Sequence, residues 1–264
     1  MHSKFKRNLR LFFKLNVIVV SILSCLIAIN SSFILEFKDL PEENFVNLMI
    51  TSHLLENIEN CVNDTGSPFD QCQTEVILME GLASGLAFKS DEEFTYILTA
   101  DHFCRPNIEL LEKLYPDNTL AIDLWATTTS GESWSAEIVS SNRMLDLCLL
   151  RSAFPLSSDI SVSDNMPEKG EKVYAISAPQ GIQESNVAFH FEGSFSGCQS
   201  INNCFFTLPS ASGSSGGVIL DKRGRIVGMI QKTLIGFEHI SIGTGAMGIQ
   251  LFLSETSEQT GIEF

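Results

Sequence analysis

The sequence predicts an all-β fold, either a barrel or a sandwich, preceded by a partly helical extension. From Thr74 onward about ten short β-type runs are separated by turns, and no long helices alternate with them, which disfavours a parallel α/β fold. The chain of 264 residues is long enough for one large all-β domain or two small ones. The β-type runs lie at residues 76–79, 85–88, 95–99, 120–125, 136–139, 147–150, 172–176, 187–191, 218–220 and 226–230.

The residues before these runs, 33–73, show a different sequence pattern. Within residues 33–73 we predict a helix at 41–62, because acidic residues follow Pro41 and apolar residues then recur at roughly helical spacing from Phe45 onward. We expect this extension to pack on the main domain.

Residues 1–32 have the character of an export signal. A basic segment precedes an uncharged apolar run at 17–29, which is shorter than the roughly 20 residues that a membrane-spanning helix needs and is typical of a signal peptide. An uncleaved signal anchor is the alternative, because no clear Ala-x-Ala cleavage site follows. Either interpretation predicts that the rest of the chain is secreted, periplasmic or held outside the cytoplasm by an N-terminal transmembrane segment.

Beyond the leader the chain is strongly acidic. Five of its 17 basic residues lie within residues 1–32, which contain no acidic residue, so 12 basic and 32 acidic residues remain and their net charge is −20. This charge disfavours binding to nucleic acid or to an anionic membrane through a basic face. We therefore expect no nucleic-acid partner, and membrane contact only through an uncleaved leader.

Six cysteines follow the leader, and an even number in an exported chain indicates disulfides. The pairs Cys61–Cys72 and Cys198–Cys204 are each near enough in sequence to close a short loop. The sequence does not determine the connectivity, and buried free thiols are the alternative. No Cys-x-x-Cys pair or companion histidine is present, so we expect no metal site.

A loop of small residues lies between 207 and 217, directly before an apolar strand. Glycines in such a loop allow backbone N–H groups to approach an anion closely. Ser215 lies at the centre of Gly213–Gly217. Considered alone, a serine-rich surface turn explains this loop better than a functional site does.

Two other segments carry groups that can activate a serine hydroxyl. His102 follows the strand at 95–99, and Asp146 opens the apolar strand at 147–150, where a carboxylate is costly unless it is paired. A hydroxyl is a poor nucleophile until a base removes its proton. In this arrangement Asp146 orients His102, and His102 takes the proton from Ser215.

The same chemistry requires donors for the negative oxygen that forms on the substrate carbonyl. The backbone N–H groups of Gly213 and Ser215 are the candidates for this oxyanion hole, because both belong to the glycine-rich loop.

Five sequence blocks support this arrangement. Leu-Thr-Ala-Asp-His ends at His102, Asp-Leu-Cys-Leu-Leu begins at Asp146, and Gly-Ser-Ser-Gly-Gly surrounds Ser215. These blocks resemble the Leu-Thr-Ala-Ala-His, Asp-Leu-Ala-Leu-Leu and Gly-Asn-Ser-Gly-Gly blocks of the trypsin-like (chymotrypsin-fold) serine peptidases, most of all the bacterial HtrA/DegP-type and glutamyl-endopeptidase-like branch. Residues 83–88 and 170–181 resemble two further family blocks in the same order.

The resemblance implies two antiparallel β-barrels with the active site between them. His102 and Asp146 would come from the first barrel, and Ser215 from the second. It also implies a peptidase domain at 74–254, followed by a short polar tail at 255–264, and a serine endopeptidase that cleaves protein or peptide substrates through an acyl-enzyme without a cofactor.

Departures from the family pattern inform activation and specificity. Ser214 occupies the position where animal digestive relatives carry an Asp that pairs with a newly cut N-terminus, so we do not expect that activation switch. Pro209, at the position that forms the base of the primary pocket in the family, is uncharged, which disfavours cleavage after Lys or Arg. Met229 and Gln231 are expected in a pocket wall, and we expect small or medium apolar residues at the cleaved position.

Alternatives exist for the site and for the function. Asp123 is a second candidate acid, although no apolar Asp-Leu-x-Leu-Leu pattern follows it, and Ser214 is a second candidate nucleophile that the Gly-x-Ser-Gly-Gly register disfavours. A catalytically inactive binding or structural protein on the same fold is the alternative function. An esterase of the α/β-hydrolase type is disfavoured, because in that fold the histidine follows the serine.

Overall fold

Two closed antiparallel β-barrels of six strands each make up the described part of the chain, which confirms the predicted fold class. The computed structural model describes residues 40–58, 72–105, 113–114, 119–156, 158–182 and 184–264. The predicted leader at 1–32 and Cys61, with the predicted Cys61–Cys72 pair, lie outside these residues.

The first barrel has the strand order β1-β2-β3-β6-β5-β4 and is closed by pairing between β1 and β4. Alternate residues of its strands point inward and form an apolar core that includes Val46, Leu48, Ile97 and Leu150. Its strands are β1 (Phe45–Ile58), β2 (Cys72–Ser90), β3 (Thr95–Thr99), β4 (Thr119–Thr128), β5 (Ser133–Asn142) and β6 (Leu147–Ser152).

The second barrel has the order β10-β11-β12-β9-β8-β7 and is closed by pairing between β7 and β10. Its core is separate from the first and includes Val173, Phe206, Ile219 and Ile230. Its strands are β7 (Lys172–Ser177), β8 (Phe189–Ser200), β9 (Asn203–Phe206), β10 (Val218–Leu220), β11 (Ile226–Leu234) and β12 (Phe237–Gly245).

The helix predicted within residues 41–62 is wrong. A single 3-10 turn at Glu42–Asn44 leads directly into β1, which pairs with both β2 and β4. The apolar residues of this segment satisfy a two-residue period as well as a helical one, and pairing with two neighbouring strands decides between them. The first barrel therefore begins at Phe45, before the expected domain start at Thr74.

The C-terminal residues form a helix that extends into the expected polar tail at 255–264. The described chain has a one-turn helix, α1 (Asp101–Cys104), after β3 and a longer helix, α2 (Ala246–Thr260), after β12. Helix α2 buries Ile249 and Phe252 and ends at Gly261 in the left-handed conformation that favours glycine at this position. The ring of Phe264 then contacts the ring of Tyr96 in the first barrel, with 5.3 Å between centroids. Within the described residues, every helix is too short or too polar to span a lipid bilayer.

Two disulfides are formed within the described residues. Cys198–Cys204 joins β8 to β9, which is one of the pairings that the sequence allowed. Cys104–Cys148 joins the turn after β3 to β6 across 44 positions of sequence. The sequence did not indicate this pairing, because the two cysteines are far apart along the chain. His102 and Asp146 each lie two residues before one of its cysteines.

We predict that the two disulfides differ in their contribution to stability. Loss of Cys104–Cys148 in a Cys104→Ala/Cys148→Ala variant is expected to lower the free energy of unfolding by about 4 kcal/mol, because the bridge closes a long loop in the unfolded chain. Loss of Cys198–Cys204 in the matched double variant is expected to cost about 2 kcal/mol, since that loop is short. Urea unfolding under non-reducing conditions measures both values, and equal losses would contradict the prediction.

Candidate active site

His102 lies on a one-turn helix, α1 (Asp101–Cys104), directly after β3. The turn is held on both sides of the histidine, because Asp101 accepts a hydrogen bond from Arg105 Nε at 3.0 Å and Cys104 is in the disulfide. Phe103 is buried in the core of the first barrel. These three anchors leave the His102 side chain about half exposed, at 49%.

Asp146 ends the turn between β5 and β6 and has a positive φ of 50°. Such a backbone conformation is uncommon for a residue other than glycine and must be held by its surroundings. The side-chain oxygen of Asn142 accepts hydrogen bonds from the N–H groups of Met144 and Leu145, both at 3.1 Å. This turn directs the Asp146 carboxylate toward α1.

The imidazole of His102 and the carboxylate of Asp146 form a direct pair. Nδ1 of His102 lies 3.0 Å from both carboxylate oxygens, and the backbone N–H of His102 donates to Oδ1 at 3.0 Å. A proton on Nδ1 that is donated to the carboxylate leaves Nε2 of the neutral ring free to accept another proton. The geometry therefore suits a histidine that acts as a base.

The environment of Asp146 favours its ionised form. Burial works to raise the pKa of Asp146, but the hydrogen bond and charge of His102, the His102 backbone N–H and the charge of Lys232 together outweigh it. The pKa of Asp146 therefore lies below its usual value. The carboxylate stays charged beside the imidazole at neutral pH.

Ser215 is not hydrogen-bonded to His102. Its Oγ donates to the carbonyl oxygen of Gln231 at 3.3 Å, and within the described residues no hydrogen bond joins Ser215 to the imidazole. The structure thus pairs two members of the predicted triad directly and holds the third in a different hydrogen bond. Such contacts are often long or misaligned before substrate binds.

The two predicted oxyanion donors are available. Among the hydrogen bonds of the described chain, none is donated by the backbone N–H of Gly213 or Ser215, whereas the N–H of Ser214 between them donates to Ala211 at 3.0 Å. Gly213 has a φ of 86°, and a Cβ there would lie 2.6 Å from the carbonyl oxygen of Ala178. Glycine is therefore required at this position.

Gln231, which we predicted in a pocket wall, makes side-chain hydrogen bonds to the turn that carries Asp146. Its side chain is buried, and Nε2 lies 2.6 Å from the carbonyl oxygen of Leu145, 2.9 Å from that of Asp146 and 2.9 Å from Oγ1 of Thr244. The side chain is thus directed to the turn that carries Asp146, while the backbone carbonyl of Gln231 accepts from Ser215. Residue types alone do not reveal this link, because it depends on contacts with the backbone oxygens of Leu145 and Asp146.

The other predicted pocket residues lie near the same loop. Met229 is fully buried and Pro209 is half-buried. Ser210, next to Pro209, is buried, and its hydroxyl has no hydrogen-bond partner within the part of the chain that is described. This adds a polar group to a region for which the sequence predicted an apolar preference.

Neither alternative residue is brought to the imidazole. The carboxylate of Asp123 contacts Nε2 of His53 at 3.1 Å. The Ser214 side chain is fully buried, and its Oγ accepts a hydrogen bond from the N–H of Ala211 at 3.2 Å. Asp146 and Ser215 therefore remain the better candidates.

Comparison with known protein families decides the family. Residues 83–229, which are more than half of the chain, match the model of the trypsin-like peptidase domain. The chain belongs to the trypsin-like peptidase family. Among curated proteins, no match was found.

Solved structures of proteases share the fold of this trypsin-like peptidase. A serine endoprotease from Yersinia pestis matches with a TM-score of 0.56 and 21% identity. The match covers 83% of this chain but only 64% of the length of the Yersinia protein. The Rv3671c protease of M. tuberculosis in its active form has a TM-score of 0.56 and 12% identity, with 81% of this chain and 82% of that one covered. At these identities the likeness concerns the fold alone.

The lowered pKa of Asp146 predicts a specific pH dependence of stability. Because its pKa is lower in the folded than in the unfolded chain, ionised Asp146 stabilises the fold above about pH 4, and this stabilisation is lost as the pH falls through the folded pKa. The difference in melting temperature between the natural chain and Asp146→Asn is therefore expected to be present at pH 6 and to shrink at pH 2–3.

Thermal unfolding followed by circular dichroism across this pH range measures the difference. An Asp164→Asn variant, which removes an exposed carboxylate, serves as the control and is expected to show no comparable change. A difference for Asp146→Asn that stays constant down to pH 2 would contradict the assignment.

Proposed function

We propose that this trypsin-like peptidase is a serine endopeptidase that hydrolyses peptide bonds through His102, Asp146 and Ser215. The observation that carries the proposal is the contact of His102 Nδ1 with the ionised carboxylate of Asp146, since this contact leaves Nε2 available as a base. Within the described residues the N–H groups of Gly213 and Ser215 donate no hydrogen bond, which supports the same chemistry.

In the proposed reaction Ser215 Oγ attacks the substrate carbonyl carbon, and Nε2 of His102 accepts the hydroxyl proton. The resulting oxyanion accepts hydrogen bonds from the N–H groups of Gly213 and Ser215. The C–N bond then breaks, and His102 gives its proton to the leaving amine, which leaves an acyl group on Ser215. A water molecule, deprotonated by His102, releases the acid and restores the hydroxyl.

The proposal requires one local rearrangement. The hydroxyl of Ser215 must exchange its hydrogen bond to the carbonyl of Gln231 for one to Nε2 of His102. No charged N-terminus has to enter the site, because Ser214 is neutral and its hydroxyl is already engaged within the loop.

Substrates are proteins or peptides on this proposal, and their hydrolysis needs no cofactor. The uncharged Pro209 disfavours Lys and Arg at the cleaved position, and the buried hydroxyl of Ser210 adds a polar group beside it. The expected signal at residues 1–32 and the two disulfides fit an enzyme that works outside the cytoplasm.

A catalytically inactive binding protein on the same fold is the second candidate. The observation that favours it is the hydrogen bond of Ser215 to Gln231 in place of one to His102. The two candidates differ in the reactivity of the Ser215 hydroxyl, which an active-site probe reports directly.

We predict that a fluorophosphonate probe labels the full chain at Ser215. Labelling is expected to disappear in His102→Ala, which removes the base, and turnover is expected to fall by roughly 10⁴-fold in Asp146→Asn and by about 10⁴–10⁶-fold in Ser215→Ala. Mass spectrometry of the digested, labelled protein identifies the modified residue, and a peptide library measures turnover.

Ser212→Ala is the matched control, because Ser212 is an exposed serine of the same loop, and its labelling should equal that of the natural chain. A folded sample without any label would support the inactive binding protein. A label on Ser214 would refute the assignment of the nucleophile while retaining a serine enzyme.

A further inference from the structure

Ser84 of β2 is a fully buried residue whose backbone and side chain both contact the candidate oxyanion loop. Its N–H donates to the carbonyl of Ser215 at 2.8 Å. Its hydroxyl donates to the carbonyl of Gly213 at 2.9 Å and accepts from the N–H of Ala178 at 2.8 Å. Its own carbonyl accepts from Oγ1 of Thr99 at 2.8 Å. All four polar functions of one residue are therefore used.

These bonds connect the two barrels. Ser84 and Thr99 belong to the first barrel, on adjacent strands. The three other partners, Ala178, Gly213 and Ser215, belong to loops of the second barrel. The Ser84 hydroxyl thus links two loops that are 35 residues apart in sequence, as counted from the bonded atoms of Ala178 and Gly213.

The turn that begins at Ala178 acts on the same loop from its other side. The N–H of Gln180 donates to the carbonyl of Ser212 at 2.6 Å. In a planar trans peptide the C=O and N–H groups point in opposite directions, so this bond sets the direction of the Gly213 N–H. The bond from Ser84 to the Gly213 carbonyl holds the next peptide group. Both peptide groups that flank Gly213 are therefore held by one connected unit.

Gly213 needs such restraint. Glycine has access to both signs of φ, and the peptide groups beside it rotate more easily than those beside other residues. Its φ is 86°, and it has no side chain of its own that would resist a change of conformation. A fixed donor stabilises a developing oxyanion because it does not have to reorient during the reaction.

We propose that the hydroxyl of Ser84 is a positioning residue of the oxyanion hole. It holds the turn at Ala178 and the carbonyl of Gly213 in register, so that the Gly213 N–H faces the substrate. This inference rests on the proposed peptidase function. It assigns to a residue outside the triad an effect on the transition state and not on substrate binding.

The test compares Ser84→Ala with Ser152→Ala in the full chain. Ser152 is a matched control, because it is a buried serine of the same barrel whose hydroxyl donates one hydrogen bond, to the carbonyl of Ser135 at 2.6 Å. Removal of one oxyanion donor costs about 100–1000-fold in rate, so its misplacement in Ser84→Ala is expected to lower kcat by about 10–100-fold. KM is expected to stay within about twofold, because ground-state binding is not changed.

A peptide boronic acid, which forms a tetrahedral adduct with a reactive serine, should bind more weakly to Ser84→Ala by the same factor as the fall in kcat. Ser152→Ala should leave kcat and this affinity unchanged. An increase in KM at constant kcat, or equal effects in both variants, would overturn the proposal. If Ser84→Ala does not fold, Ser84→Cys keeps the shape of the side chain with a larger atom in place of the oxygen and donates a weaker hydrogen bond, and it should show a smaller loss in the same direction.

A second readout does not depend on turnover. With ¹⁵N-glycine labelling, Ser84→Ala is expected to shift the Gly213 amide resonance, because the carbonyl of Gly213 loses the hydrogen bond that holds it, whereas Ser152→Ala leaves this resonance unchanged. If the natural chain shows no turnover, the proposed function fails, and the Gly213 amide still decides whether Ser84 positions this group. An unchanged amide in a folded Ser84→Ala sample would overturn the inference in either case.

Discussion

The candidate site depends on hydrogen bonds that connect two barrels whose cores are separate. Apolar packing holds each barrel together, but Ser84 reaches the loop of Ser215 by hydrogen bonds, and Gln231 reaches the turn of Asp146 in the same way. These bonds are directional, so they define positions more narrowly than apolar contacts do. Both sets of hydrogen bonds connect the barrel that carries the imidazole–carboxylate pair to the barrel that carries the serine loop.

The hydrogen bonds of Gln231 and those of Ser84 act on different parts of the proposed chemistry. Gln231 holds the backbone of Asp146, whose positive φ requires external support, and therefore affects the base. Ser84 holds the peptide groups around Gly213 and therefore affects the oxyanion donors. Ser215 touches both systems, since its hydroxyl donates to Gln231 and its carbonyl accepts from Ser84. The loop that carries the proposed nucleophile is thus bonded to both Gln231 and Ser84.

Local patterns in the sequence predicted an all-β fold and the candidates His102, Asp146 and Ser215, whereas the two barrels were predicted from the resemblance to the trypsin-like serine peptidases. Short β-type runs, an acid at the start of an apolar strand and a glycine-rich loop can each be recognised without coordinates. The sequence predicts a helix where the strand Phe45–Ile58 forms, because only the pairing of this strand with β2 and β4 separates the two interpretations. The bond of Ser215 to Gln231, the Ser84 contacts and the Cys104–Cys148 bridge join distant parts of the chain, largely through backbone atoms, and leave no pattern in residue type.

The bridge between Cys104 and Cys148 also makes the imidazole and its carboxylate a tethered pair. Each side chain is only two residues from a bonded sulfur, so a short covalent path connects them independently of the rest of the barrel. Tethering raises the effective concentration of one group at the other and turns their encounter into an intramolecular event. The bridge therefore limits how far thermal breathing of the surrounding strands can separate the imidazole from its carboxylate.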